Sequence, residues 1–345
     1  MIKSLRKSVF YIFFFLSKAA FSQTVGGNAA YNFLKLPASP LVAAAGGANI
    51  SYQGSEVSLT ANNPALLSAG MSSQLNVSFN AFLAGIKTYS LTGAYHVDNL
   101  QTTFGGHVYF VDYGNLPATD AAGNITGEFR PVEFVVQVSA ARKYLERWTY
   151  GGMLKFINSS YQQYKSNAIA IDIGLVYFDS AKKLTLAFTA KNMGFQLQTF
   201  AGEREDLPFD LQFGITKKLS KAPLGFSLTA QQLHRFNLLY NDTAFNNENR
   251  FGKASPIHQF FNHFVLATHL YLGQNIEASL GYNHLRRQEL SVQNAGNGLA
   301  GFSVGLHIKF SKLQILYARS TYQRGIGYNQ IGITAQLNKL VGLGN

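Results

Sequence analysis

The chain has 345 residues, of which 47% are hydrophobic and 13% charged, and its formal net charge is +12. This length admits one large β domain or two ordinary domains, and the lack of cysteine excludes a disulfide-stapled fold. Lysine and arginine are spread over predicted turns, as in Lys182-Lys183 and Lys217-Lys218, without interleaved aromatic residues. The basic balance therefore indicates solvated turns, and we expect no nucleic-acid interface.

Residues 1–22 have the pattern of a secretory signal peptide. Basic residues precede the apolar run from Val9 to Leu16, and Ala20-Phe21-Ser22 offers a cleavage site before Gln23. The apolar run is too short for a membrane helix, and no later run approaches the roughly 20 residues that a spanning helix needs. Any membrane embedding must therefore come from strands.

Residues 23–72 differ from everything that follows them. They are rich in Gly, Ala, Ser, Asn and Pro, and their proline breaks make long strands unexpected. A flexible linker and a compact plug are both compatible with this composition, but regularly placed Leu, Val and Ile favour the plug. We call residues 23–72 the hatch, and expect it to make tight backbone passages at Gly46-Gly47 and Asn63-Pro64.

From residue 73 onward, bulky apolar residues alternate with small or polar ones. In the stretch 302–310, Phe302, Val304 and Leu306 alternate with Ser303 and Gly305. Side chains along a strand point to opposite faces with period two, so each run has one apolar face. The pattern predicts fourteen strands, long enough for the ~9–11 tilted residues that cross a bilayer: 73–82, 86–97, 101–111, 131–141, 147–158, 167–178, 182–192, 208–218, 223–234, 260–272, 274–284, 299–310, 311–320 and 328–338.

The predicted connections after even-numbered strands are short turns, and the long loops all follow odd-numbered strands. The long loops are 112–130, 193–207, 235–259 and 285–298. Outer-membrane barrels combine an even strand number with short periplasmic turns and longer extracellular loops. The sequence therefore predicts an all-β fold, in which residues 73–345 form a 14-stranded antiparallel transmembrane β-barrel around the hatch. The cell outer membrane is the expected location, with both chain termini in the periplasm.

Four charged residues fall on the polar face of predicted strands: Glu133, Lys155, Asp172 and Lys191. A Lys or Arg that faces lipid near the bilayer midplane costs about 2–4 kcal/mol, and Asp or Glu costs less. We therefore expect these side chains to face the lumen. They could line a polar conduit or pair with the hatch backbone and water, and the second alternative is favoured.

Motifs that suggest catalysis or cofactor binding occur only as sequence matches without the neighbouring elements or partner residues that the chemistry needs. Gly296-x-Gly298-x-x-Gly301 precedes a strand instead of opening a helix, so it does not predict a nucleotide site. Ser303 lies in a Gly-x-Ser-x-Gly pattern, but no carboxylate side chain follows it in the sequence. The spacing of His258, His263 and His269 does not suit a metal site. We expect no enzymatic activity, no metal and no cofactor.

The hatch carries a more specific pattern, in Gly46, Gly47 and Asn49 and in Asn63-Pro64-Ala65. With Leu36-Pro37-x-Ser39-Pro40, it resembles the N-terminal hatch of FadL-like outer-membrane proteins. Within that superfamily the chain is similar to the PorQ-like, PorV-related proteins of type IX secretion in Bacteroidetes. The resemblance implies a barrel in contact with lipid and lipopolysaccharide at the cell surface. It also implies a surface partner, PorZ-like, which acts with PorU/PorV-like proteins to process exported cargo and attach it to lipopolysaccharide.

Two functions from different classes follow. The leading one is a non-enzymatic anchor in the type IX attachment complex, and the alternative is a FadL-like transporter of hydrophobic small molecules. An anchor must present contacts outside the cell, and loop 235–259 carries aromatic residues and Arg, which supply much of the energy of interfaces. The loop could instead fold over the barrel mouth and bury these side chains. The candidate partner-binding residues are Phe236, Leu238, Tyr240, Phe245, Arg250 and Phe251.

Overall fold

The computed structural model describes residues 29–82, 85–236, 238, 256–289, 298–323 and 326–341. The predicted signal peptide lies outside these ranges. Over the part of the chain that is described, no helix is long and apolar enough to cross a membrane.

Strands dominate the fold, and fourteen of them close into one antiparallel barrel in which sequence neighbours are spatial neighbours. The strands are β1 (Gln74–Ala81), β2 (Lys87–Val97), β3 (Thr102–Asp112), β4 (Leu116–Thr119), β5 (Ile125–Phe129), β6 (Val132–Tyr144), β7 (Trp148–Tyr161), β8 (Tyr164–Asp179), β9 (Leu184–Gln198), β10 (Asp210–Lys218), β11 (Leu224–Ala230), β12 (Phe264–Leu272), β13 (Ile276–Asn283), β14 (Phe302–Lys309), β15 (Leu313–Gln323) and β16 (Ile326–Gln336). Strands β4 and β5 form a separate two-stranded hairpin, which interrupts the connection between β3 and β6.

The barrel closes where β1 pairs with β16, and this pair shows which strand face points outward and which points into the lumen. Val77 lies opposite Ile333, and these side chains are 54% and 51% exposed on the outer face. On the inner face, Asn76 lies opposite Thr334, and both are buried. A soluble sandwich would bury the bulky face and expose the polar one. The predicted fourteen-stranded barrel with an outward apolar face is therefore confirmed.

Several connections differ from the prediction. Strand β9 continues to Gln198, so the predicted loop 193–207 is wrong over its first residues because they extend the ladder with β8. The expected strand start at residue 260 is also wrong, since α2 (Pro256–Phe261) occupies it. A further helix, α3 (His284–Glu289), follows β13 directly. All four long connections nevertheless leave the same end, here called the long-loop end, and the opposite end is called the short-turn end.

The described part of the hatch consists of short helical turns joined by extended residues. Its one α-helix, α1 (Pro40–Ala44), begins where Ser39 Oγ accepts a hydrogen bond from Leu41 N at 3.3 Å and proline takes the first turn. The 3₁₀ turns are Asn32–Lys35, Val57–Ala61, Pro64–Leu66 and Ala69–Met71. A helix after β16, α4 (Leu337–Val341), ends the described chain.

The hatch runs through the barrel from one end to the other. At the long-loop end, Ala30 N donates to Asp206 O at 3.0 Å in the connection between β9 and β10. At the short-turn end, Ser73 N donates to Ala94 O at 2.9 Å and the chain enters β1. The first described residue, Ala29, thus lies at the opposite end of the barrel from α4. The expected periplasmic N-terminus itself falls outside the described residues.

Candidate functional site

The Gly46-Gly47 passage of the hatch depends on the missing Cβ atoms. Gly46 and Gly47 have φ angles of 90° and 93°, a region that other residues rarely adopt. A Cβ on Gly46 would come within 2.6 Å of Val265 Cγ1, and one on Gly47 would overlap the Arg286 guanidinium. Both glycines therefore serve a tight turn against the barrel wall, as the sequence predicts.

Asn63-Pro64-Ala65 forms the second tight passage. Asn63 is fully buried; its Nδ2 donates to Ile50 O at 2.8 Å, and its Oδ1 accepts from Ala65 N at 2.9 Å. The turn lies directly on β7, where a Cβ on Gly151 would come within 2.7 Å of Ala65 N. The wall is thus shaped to fit the backbone of this turn.

Asn49 joins these two passages. Its side chain is buried, and Oδ1 accepts from Ser51 N at 3.1 Å. Its carbonyl oxygen accepts from Asn62 Nδ2 at 2.7 Å. The hatch is therefore held as one compact unit by side chains that bond its own backbone, which satisfies polar groups that burial removes from water.

Two buried carboxyl groups connect the hatch to the wall. Glu56 accepts hydrogen bonds from Ser58 and from Thr334 Oγ1 on β16, the latter at 2.6 Å. Burial raises the pKa of the Glu56 carboxyl above its ordinary value, although these hydrogen bonds oppose the rise. Tyr52 donates to Glu277 on β13, and burial together with that carboxylate raises the pKa of the Tyr52 phenol well above its usual range. Tyr52 therefore remains a proton donor to Glu277.

The four charged residues expected in the lumen all point inward. Lys155 Nζ lies 2.6 Å from Asp172 Oδ2 and donates to Asn192 Oδ1 at 2.8 Å. Lys191 Nζ donates to the hatch at Asn62 Oδ1, 2.8 Å away. Glu133 accepts from Tyr113 Oη at 2.5 Å. These contacts are with wall side chains and, for Lys191, a hatch side chain, so the expected pairing with hatch backbone is wrong for them.

A cavity of about 360 Å³ lies inside the barrel toward the long-loop end. The hatch, the inner wall, α3 and the connection after β11 all contribute to its lining. Sequence reasoning identified two of its charged residues and missed four. Three of these lie in the hatch or in connections between strands, where no period predicts an inward direction, and the fourth, Asp210, is the first residue of β10. The charged lining residues are Lys35, Lys155, Lys191, Arg235, Arg286 and Asp210.

The wall changes its pairing next to this cavity. β9 pairs with β10 only from Leu184 to Lys191, whereas β8 pairs with β9 as far as Gln198. At the transition, Asn192 has a φ of 58° and its backbone N donates to Asp172 Oδ1 at 2.7 Å. The connection 199–209 closes this region from inside, and Pro208 O accepts from Asn192 Nδ2 at 2.8 Å. The structure thus has a β-bulge in the wall, a feature that often adjoins functional sites.

The candidate partner-binding loop is described only at its borders. Phe236 is 57% exposed and its carbonyl oxygen lies 3.1 Å from His263 Nε2, while Leu238 is half-buried. Tyr240, Phe245, Arg250 and Phe251 lie outside the described residues. On the far side of the loop, α2 exposes Ile257, Phe260 and Phe261 at 65%, 52% and 50%. These side chains extend the apolar character that the sequence assigned to the loop.

The motif residues that suggested catalysis have structural contacts. Ser303 is buried; its Oγ donates to Ser320 Oγ at 3.0 Å and accepts from Arg286 Nη1 at 3.3 Å. His263 contacts backbone carbonyl groups on the β11–β12 connection. Among the residues that the structure describes, no group of His, Asp and Glu is arranged to hold a metal ion.

The fold resembles solved channel proteins, although their sequences differ widely from this one. A deletion mutant of the TodX monoaromatic hydrocarbon channel superposes with a TM-score of 0.50 at 11% identity, covering 88% of this chain and 98% of that one. The CymD monoaromatic hydrocarbon channel gives 0.50 at 12% identity, covering 88% and 97%. A FadL homologue of Pseudomonas aeruginosa gives 0.46 at 10% identity, covering 88% and 98%. No family model and no curated protein sequence matches the chain. The chain therefore has the closed β-barrel fold of these two hydrocarbon channels.

Proposed function

We propose that this protein is a non-enzymatic anchor that holds a surface partner in a type IX secretion and attachment complex. The observation that carries the proposal is the fit between hatch and wall. Hatch residues pack against glycines on strands around the whole barrel, so the hatch occupies the lumen as part of the fold. A barrel filled in this way suits a scaffold better than a pore. The glycines whose Cβ would overlap hatch atoms are Gly151, Gly174, Gly214, Gly281 and Gly305.

Two further features support an anchor. The hatch motif of the sequence resembles that of PorQ-like proteins, in which the barrel holds a surface protein that takes part in cargo attachment. The long-loop end also presents apolar side chains beyond the strands, at Phe236 and along α2. Exposed apolar side chains grouped at one end of a molecule mark an interaction surface.

Isolation of the native complex tests the anchor. A tag placed after α4 lies at the short-turn end, away from the proposed docking surface. It should permit isolation of the intact complex after mild extraction from outer membranes. We expect a surface-exposed protein and cargo-attachment components to co-isolate in near-stoichiometric amounts. A tagged barrel of unrelated function from the same membranes is the control. Isolation of the barrel alone, with normal cargo attachment in cells that lack it, contradicts the proposal.

The second candidate is transport of a hydrophobic small molecule through the barrel wall. The interrupted β9–β10 pairing favours it, because a wall without ladder hydrogen bonds can open at small cost. Two structural neighbours are by name monoaromatic hydrocarbon channels. The charged lining of the cavity does not suit such a solute, since transferring an apolar molecule to a site of desolvated charges gains little.

A disulfide across the wall separates the two candidates. Lys191 lies opposite Asp210, so Met193 and Pro208 would face each other if the pairing continued. Under the transport function, oxidised Met193→Cys/Pro208→Cys loses uptake of a labelled monoaromatic hydrocarbon into intact cells, and reduction restores it. Under the anchor function, uptake equals that of cells without the protein in both redox states, and partner retention is unchanged.

A further inference from the structure

Cationic side chains outnumber carboxylates in the described lining of the cavity inside the long-loop end. Five cationic side chains of the described residues line it, with one carboxylate, Asp210. A second carboxylate, Asp172, lies against Lys155 and compensates it. Even with both carboxylates counted, the described residues contribute more cationic than anionic side chains. Like charges enclosed together repel strongly, because an interior screens them less than water does.

Arg286 on α3 contributes one of these cations. Its residue is 8% exposed, Nη1 donates to Ser303 Oγ at 3.3 Å, and the guanidinium carbon lies 4.4 Å from the Tyr322 ring centroid. Nε and Nη2 have no hydrogen-bond acceptor among the described residues. No ion pair within those residues includes Arg286. The planar donor edge of an arginine is the group that proteins use to hold carboxylate or phosphate oxygens.

Lys191 on β9 is a second cation that has no ion pair among the described residues. Its Nζ donates to one acceptor, Asn62 Oδ1 at 2.8 Å, and an ammonium group has three donors. No ion pair of the described residues includes Lys191. Lys191 and Arg286 belong to separate elements of the barrel but line the same cavity. An anion bound in that cavity therefore lies among cations from both elements.

We propose that this cavity is a binding site for a small multivalent anion, with carboxylate or phosphate groups held by Lys191 and Arg286. A volume of about 360 Å³ falls in the range of small-molecule sites, which is about 300–1,000 Å³. Buried charges are stable when paired, and a bound anion supplies the ion pairing that the described side chains do not give to Lys191 and Arg286. The inference goes beyond the anchor function and does not depend on it.

Binding of two chemically distinct anions tests the site. Citrate and inorganic phosphate are titrated by calorimetry into the purified full-length mature barrel in detergent, at constant ionic strength with chloride as the reference. We expect at least one probe to bind with one-to-one stoichiometry and to raise the thermal unfolding midpoint. If citrate binds more strongly, the ligand of the site is a polycarboxylate. If phosphate binds more strongly, the ligand is a phosphate compound. Response to neither probe beyond that to chloride overturns the proposal.

Neutral variants assign the binding to this cavity. Lys191→Gln and Arg286→Gln should each weaken binding by roughly tenfold or more, as loss of a charge-assisted hydrogen bond implies. Lys182→Gln, an equal charge change on an exposed side chain at the short-turn end, should leave it unchanged. Without anion, the variants should unfold at the wild-type midpoint or higher, because they remove repulsion between cations. If they unfold lower while anion binding persists, the two residues only support the hatch and the proposal is wrong.

Discussion

Gly47→Val should lower the free energy of unfolding of the barrel by about 2–6 kcal/mol, combining backbone strain with overpacking. The φ angle of 93° at Gly47 is unfavourable for any side chain and most unfavourable for a β-branched one. The new side chain would also overlap the Arg286 guanidinium. The loss is detected as a decrease in the midpoint of thermal unfolding, followed by circular dichroism. Molecules that still fold should retain their partner, so folding suffers more than function.

Gly70→Val is the matched control within the same hatch. Gly70 is exposed, its φ is not positive, and the atom nearest to an added Cβ would lie 3.8 Å away. The substitution should change the midpoint little, because the difference in helical preference between the two residues is small and favours valine. Equal midpoints for Gly47→Val and the wild type would show that this segment does not pack in the lumen.

Replacing residues 238–251 by a Gly-Ser turn should release the surface partner while the barrel still assembles. The removed segment carries Tyr240, Phe245, Arg250 and Phe251, and such aromatic and arginine anchors each contribute about 2 kcal/mol or more at a hot spot. Losing several of them lowers affinity by at least a thousandfold, since about 1.4 kcal/mol corresponds to a factor of ten. The partner should therefore appear in the culture medium, and cargo attachment should fail.

A second shortened loop controls for general damage to the long-loop end. Replacing residues 116–129 by the same turn removes the β4–β5 hairpin, a segment of equal length that packs as a separate sheet. This variant should retain the partner. If the 238–251 variant also holds its partner at the wild-type level, the loop folds over the barrel mouth and the docking site lies elsewhere.

The alternation of residues from 73 onward determined most of the fold. Period-two patterns settled which side chains face lipid, so the number of barrel strands, barrel closure and the inward direction of Lys155 and Asp172 followed from sequence alone. The β4–β5 hairpin within the predicted loop 112–130 did not. The composition of the hatch, with Gly46-Gly47 and Asn63-Pro64, also predicted where its backbone turns tightly. These features are local, because strand pleat and backbone conformation depend on a few consecutive residues.

Tertiary structure decided which of these inward groups meet. Period two assigns a face but not a partner, so the pair Lys155–Asp172, the contact of Lys191 with Asn62 and the position of Arg286 required the strand register and the path of the hatch. The bulge at Asn192 moves the exposed apolar side chains from the even position Phe188 to the odd positions Phe195 and Leu197, but only the strand register shows which residue is the extra one. Arg286 lies on α3, after β13, and lines the cavity although no period in the sequence predicts its direction. Long-range geometry, and not local preference, therefore places the charges that form the cavity.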